Sequence, residues 1–255
     1  LLFVANQGNE NGGSYLYGPK SSEYNDNKWH HITIVYKQSE DKAYFYFDGS
    51  EHSTFENHGS MDLSNEGDFY VGSDRSIDDN SGFFEGSIDD VRLWYKALSS
   101  DEITSNKSKE LEGDESSLTG YWKFNEGTGT SVADASSNTN TGTISGAAWS
   151  TDSPLSTQSG MSLTFDGVDD YVAVSDNDAL DFSSGQDYSI QFWFKTEFSG
   201  SLSSAQSFLA KAKNTASGPF IGWQIFITPE SDNPLSLPKI SLSGTFWQSL
   251  LRQLS

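Results

Sequence analysis

The sequence contains no cysteine, so disulfides and thiolate chemistry are excluded, although that alone does not fix the compartment. No apolar run reaches about 18 residues, so no segment is expected to cross a bilayer as a helix. Cations are scarce: 15 Lys and Arg stand against 36 Asp and Glu, a net charge of −21. Nucleic acid is therefore not an expected partner, because phosphate binding needs clustered Lys and Arg. Attachment to an anionic membrane is disfavoured for the same reason. The same imbalance suits a well-solvated surface and attracts divalent cations. No leader is visible at Leu1. The chain opens inside a strand-like run, Leu1 to Val4, and reads as an excerpt from a longer protein.

Hydrophobic residues make up a modest 35%, but 17 Phe, 11 Tyr and 7 Trp are among them. Aromatic side chains bury large areas each, enough for the core of a thin two-layer fold. With 23 Gly and plentiful Ser, Thr, Asn and Asp, the composition fits many short strands joined by tight turns. A length of 255 residues allows one large β-sandwich or two small domains.

Alternation gives the strands. Ile32, Ile34 and Tyr36 alternate with His31, Thr33 and Val35, and Tyr44 and Tyr46 alternate with Phe45 and Phe47. Asp48-Gly49 is a two-residue hairpin signal, so a strand is expected to return over Ser50 to Phe55. Ser99-Ser100-Asp101-Glu102 has the form of a helix cap with acids in the first turn, which predicts one short helix near 99–107. Residues 108–117 are polar and acidic and read as a linker. Residues 118–255 supply further strand candidates, among them 121–124, 161–165, 171–174, 189–195, 207–210, 221–227 and 239–242. No internal repeat is present.

Three phrases carry a family resemblance: Trp29-His30-His31-Ile32-Thr33-Ile34-Val35-Tyr36, Tyr121-Trp122-Lys123-Phe124-Asn125-Glu126-Gly127, and Leu163-Thr164-Phe165-Asp166-Gly167-Val168-Asp169-Asp170-Tyr171-Val172. Together they resemble the laminin-G-like domains of the concanavalin A-like lectin and glucanase group. The resemblance implies an all-β fold, a two-sheet antiparallel jelly-roll sandwich. In that family the Trp-His-His phrase belongs to the second half of a domain, and here it comes first. Residues 1–107 thus resemble a closing half and 118–255 an opening half. They either close into one permuted sandwich or pair between copies cut from a tandem array. Each half alone exposes an aromatic face and open strand edges, so the halves are expected to meet.

Candidate chemistry follows from the same residues. The stretch Asp134 to Gly142 matches the family's Asp-x-Ser-x-Asn-x-Asn-x-Gly loop, which in relatives resembles a structural calcium site. Asp134, Asn138 and Asn140, with Asp89 or Asp90 as a partner carboxylate from the other half, are the expected Ca²⁺ ligands. An Asn/Gly turn capped by its own side chains is the alternative. The loop holding Asp74, Asp78 and Asp79, with Phe83 nearby, is a candidate ligand rim, and Trp149 is a candidate stacking ring. Trp193, between Phe192 and Phe194, is not assigned a face by the sequence. Asp166, Asp169 and Asp170 read as a structural corner. Glu85, Ser87 and Asp89 share a face, but the three closely spaced acids of the glucanases are absent. No Ser-His-Asp or zinc pattern accompanies His30, His31, His52 and His58. The expected function is a non-catalytic adhesion or carbohydrate-binding module of a large secreted or cell-surface bacterial protein, with a glycan, a cell-surface protein or neighbouring copies of itself as partner. A ligand-free spacer and an accessory domain of a polysaccharide-degrading enzyme are the alternatives. Residues 245–255 carry no assignment.

Overall fold

The computed structural model describes residues 1–7, 13–56, 62–74, 82–155, 160–198, 202–215 and 218–229. In chain order the strands are β1 (Leu2–Gln7), β2 (Gly13–Tyr17), β3 (His30–Lys37), β4 (Lys42–Phe47), β5 (Ser50–Glu56), β6 (Phe69–Val71), β7 (Glu85–Trp94), β8 (Leu118–Trp122), β9 (Ser131–Val132), β10 (Gly142–Ser145), β11 (Ala148–Ser150), β12 (Ser162–Asp166), β13 (Tyr171–Val174), β14 (Tyr188–Thr196), β15 (Gln206–Thr215) and β16 (Gly218–Ile227). Helices α1 (Ser21–Tyr24) and α2 (Ser100–Lys107) and two 3-10 turns accompany them; α1 and the 3-10 turns were not expected from the sequence. The expected strand at 239–242 lies outside the described residues.

Two antiparallel sheets pack face to face as the expected jelly-roll sandwich. The first has the order β2-β1-β16-β15-β6-β13-β10-β9 and the second β11-β12-β7-β14-β3-β4-β5, with β8 also pairing β7. Local signals set several elements. Asp48 (φ 50°) and Gly49 (φ 85°) are both left-handed, the backbone that a two-residue β4–β5 turn requires. At α2, the Glu102 N–H donates to Ser99 Oγ at 3.3 Å and the Ser99 N–H to Glu102 Oε2 at 2.9 Å, the capping box anticipated from the sequence.

Strands from both sides of the 108–117 stretch interleave in each sheet. β14 lies between β3 and β7, with Ile190 opposite Ile34 and Leu93. β16 lies between β1 and β15, and β6 between β15 and β13. The shared core joins Phe3, Phe69, Val71, Leu209, Trp223 and Ile225 of the first sheet to Ile32, Ile34, Phe45, Phe165, Phe192 and Phe194 of the second. Lys211 on β15, almost fully buried, ties the portions again: its ammonium donates to Asp176 Oδ1 (2.8 Å), Gly67 O (3.0 Å) and Asn65 O (3.2 Å) and pairs with Asp181 (3.0 Å).

β7 shows how charge is kept out of this core. Asp89 pairs with Trp193 and Arg92 with Gln191, so three steps on β7 match two on β14: Asp90 is an extra residue, held left-handed at φ 57°. Strict alternation from Ile88 would turn Asp90 and Arg92 inward. The bulge shifts the phase by one, so Ile88, Val91 and Leu93 join the core while Asp89 and Arg92 take the outer face.

One end of that outer face is roofed. α2 and the acidic connection press Ile103 and Leu111 onto Val35, Tyr46, Trp94, Leu118 and Tyr121. Arg92 anchors the roof. Its guanidinium binds both oxygens of Asp90 and donates to Asn106 O and Lys109 O, each at 2.8 Å. These are carbonyls at and just beyond the C-terminal end of α2, where a cation is favoured.

His30, at the start of β3, is clamped between two carboxylates. Its Nδ1 is 2.9 Å from Asp48 and its Nε2 3.0 Å from Asp26, and its ring stacks on Phe47. Burial alone pulls its pKa down, but the hydrogen bonds to Asp48 and Asp26 outweigh this and raise it above the ordinary value. Lys28, and behind it His30, hold Asp26 down to about 2. A raised histidine pKa stabilises the fold fully below the unfolded value of about 6.5 and ceases to do so as pH rises through the folded value. The stability of the wild type relative to His30→Gln, from urea unfolding, is therefore expected to shrink as pH rises from mildly acidic to alkaline. A difference independent of pH over that range would contradict the clamp.

Candidate functional site

Among the described residues no helix roofs the other end of the outer face of the second sheet, and β3, β14 and β7 bring two rows of side chains there. In the first row His31, Trp193 and Asp89 stand directly opposite one another on three adjacent strands. His31 and Trp193 meet edge to face at 5.1 Å. In the next row Lys195 lies opposite Ser87, with its ammonium 6.0 Å from the centre of the Trp29 ring. Residues two apart on a strand share a face, so Trp29, His31, Trp193, Lys195, Ser87 and Asp89 form one surface. The segment after β11 closes one side: Trp29 Nε1 donates to Asp152 Oδ1 at 3.1 Å, Lys195 pairs with Asp152 Oδ2, and Ser153 Oγ donates to Asp89 Oδ2 at 2.8 Å. Glu197 lies 3.4 Å from both Lys195 Nζ and Ser87 Oγ.

The electrostatics differ across the rows. Burial, reinforced by the charge of Asp90, pushes the Asp89 carboxyl well above the usual carboxylate range. Burial, then Arg92 and Lys107, pushes His31 well below the usual imidazole value. Both groups are thus biased toward their uncharged forms. In the outer row the Lys195 hydrogen bond lowers Asp152. His31 Nδ1, Trp193 Nε1 and Asp89 Oδ1 are buried atoms with no hydrogen-bond partner among the described residues. Buried polar atoms ordinarily find partners, so three unpaired ones on directly opposed residues mark this row as unusual. Trp193 and Trp29 are themselves half-buried, each keeping part of an indole accessible.

The expected calcium ligands are placed differently from the expectation. Asp134 Oδ1 accepts the N–H groups of Tyr121 (2.9 Å) and Ser136 (2.8 Å), and Oδ2 accepts the Asn140 N–H (2.9 Å) and its Nδ2 (3.2 Å). Asn138 Nδ2 donates to Thr119 O at 2.9 Å, and the carbonyl of Asn140 accepts from Trp122 Nε1 at 2.9 Å. Calcium needs oxygens with lone pairs turned to it. Here four N–H groups converge on the one carboxylate, so Asp134 is taken up by the chain rather than turned to an ion, and it ties β8 to the turn. Asp90 is engaged by Arg92 and Asp89 by Ser153; neither bonds the 134–142 turn.

Of the expected ligand rim, Asp74 is buried near Gln224, Phe83 is half-buried, and Asp78 and Asp79 lie outside the described residues. Trp149 packs on the core and donates Nε1 to Gly129 O at 3.0 Å. Asp166, Asp169 and Asp170 lie close enough to share a cation, with oxygens within 4.8 Å of one another. Asp166 Oδ1 accepts the Val168 N–H at 2.8 Å and Asp170 Oδ2 the Asp166 N–H at 2.9 Å, the bonds of a structural corner.

The sequence reading missed Trp193, Trp29, His31 and Lys195 as a group. A signal was present: Gln191 and Lys195 flank Trp193 at spacings of two, which puts Trp193 on the polar face rather than with Phe192 and Phe194.

Comparison with known proteins agrees with this architecture. Residues 3–104 match a laminin-G family model described as the concanavalin A-like lectin/glucanases superfamily. No curated protein and no solved structure matches the chain. The match runs from β1 into α2 and so includes β3 and β7, which flank β14 in the candidate site. Residues 3–104 are thus similar to the concanavalin A-like lectin/glucanases superfamily, and the two-sheet sandwich that they complete with 118–229 is consistent with a jelly roll of that type.

Proposed function

We propose that the chain is a non-catalytic carbohydrate-binding module that takes a sugar chain across the open end of the second sheet. The carrying observation is the partly exposed pair Trp193 and Trp29 with Lys195 beside them, standing over the buried row of Ser87, His31 and Asp89. Partly exposed indoles offer apolar surface to the C–H faces of sugar rings, and the polar Lys195 beside them fixes orientation, the usual composition of a ligand site. The reading omits turnover because Asp152 and Glu197 are paired with Lys195 and Asp89 is buried, which leaves no separated pair of free carboxylates among these groups. A place in a secreted or cell-surface protein, in an adhesive role, belongs to the same proposal. It is supported by the strongly acidic composition, which suits a well-solvated surface.

A glycan array probed with the whole chain, in calcium and in EDTA, tests this reading. At least one glycan class is expected to bind, and Trp193→Ala is expected to lose about tenfold or more in affinity, since about 1.4 kcal/mol suffices for that factor. The variant's unfolding curve separates lost binding from lost fold. Binding that survives Trp193→Ala and Trp29→Ala would move the site elsewhere. Binding to no glycan under either condition would favour the ligand-free spacer. Binding lost in EDTA would locate a calcium requirement in oxygens other than those of Asp134.

A further inference from the structure

Granting that the open end of the second sheet binds sugar, we infer that it is built for a neutral chain and that Asp152 and Glu197 are the residues that exclude acidic ones. The total charge of −21 does not decide this: at physiological salt the screening length is about 8 Å, so distant charges act weakly and those at the patch dominate. The cation of the patch is Lys195. It would be the natural partner of a uronate or sulfate group, yet its ammonium is paired with Asp152 and lies 3.4 Å from Glu197. Asp152 is held twice, by Lys195 and by the Trp29 indole, and so is fixed beside the ring rather than free to swing away. Both carboxylates keep substantial exposure, 50% for the Asp152 side chain and 41% for Glu197. An anionic sugar on Trp29 and Trp193 thus meets two exposed carboxylates and a cation already neutralised, whereas a neutral one carries no charge for them to repel. Burial also biases the inner row, Asp89 and His31, toward uncharged forms. Discrimination arises from like charges set against the wrong ligand as much as from attraction to the right one.

The test compares the wild-type chain with the Asp152→Asn/Glu197→Gln double variant on an array carrying neutral, uronate-containing and sulfated glycans, at low and high salt. Wild type is expected to bind neutral members with little salt dependence. The double variant should keep that binding within a few-fold and gain about tenfold or more toward uronate or sulfated chains, a gain that high salt removes. Wild-type binding confined to acidic glycans and weakened by salt would overturn this inference while leaving a sugar-binding face in place. A double variant that gains no acidic binding, yet unfolds like wild type and still binds neutral glycans, would overturn the assignment of Asp152 and Glu197. Binding by neither protein to any glycan would refute the sugar-binding face itself, and this inference with it.

Discussion

Replacing Arg92 with methionine is expected to remove about 3–5 kcal/mol of folding stability, measured by urea unfolding, a large share of the roughly 5–15 kcal/mol that holds a domain together. The side chain is fully buried. Its loss leaves the Asp90 carboxylate, 3% exposed, without its cation, and leaves the Asn106 and Lys109 carbonyls without a donor. The roof over Val35, Trp94 and Tyr121 then loses the tie that holds the end of α2 to the sheet. A second change separates the unpaired charge from the lost packing. Asp90→Asn keeps a residue that tolerates the left-handed backbone at φ 57° while removing the charge. The Asp90→Asn/Arg92→Met pair is therefore expected to be more stable than Arg92→Met alone. If Arg92→Met changes stability by less than about 1 kcal/mol, the network is not a support of the roof.

Much of the fold was legible because local chemistry and global pattern agree. The Asp48-Gly49 turn, the Ser99–Glu102 cap and the alternation in β3 and β4 each needed one short window of sequence. The site was less legible, for three physical reasons. The Asp90 bulge breaks the period of two, so the face of Arg92 cannot be read by counting from Ile88. Phe192, Trp193 and Phe194 are all aromatic, and hydrophobicity does not separate the inward from the outward ring; only the polar flanks Gln191 and Lys195 do. Asp134 presents a calcium-like pattern of oxygens, but whether N–H groups or an ion satisfy a carboxylate depends on how the chain folds around it, and Tyr121 lies 13 positions away. The pairing of β14 with β3 and β7 is a contact across the whole chain, and no local window contains it.

That pairing is the claim on which the rest stands, because Trp193 reaches its neighbours His31 and Asp89 only when a late strand enters between two early ones. Burying a large apolar side chain contributes about 1.5–3 kcal/mol. Ile190, Phe192, Phe194, Phe208, Trp223 and Ile225 all lie in the shared core, so losing their burial costs about as much as the whole net stability of an ordinary domain. The direct measurement is to produce residues 1–115 and 116–255 as separate chains and follow unfolding of each and of their mixture by tryptophan fluorescence. Neither fragment is expected to unfold cooperatively alone, and an equimolar mixture should recover one cooperative transition at one-to-one stoichiometry. Two fragments that each melt cooperatively, unchanged by mixing, would contradict the interleaved sandwich and the sugar-binding face assembled on it.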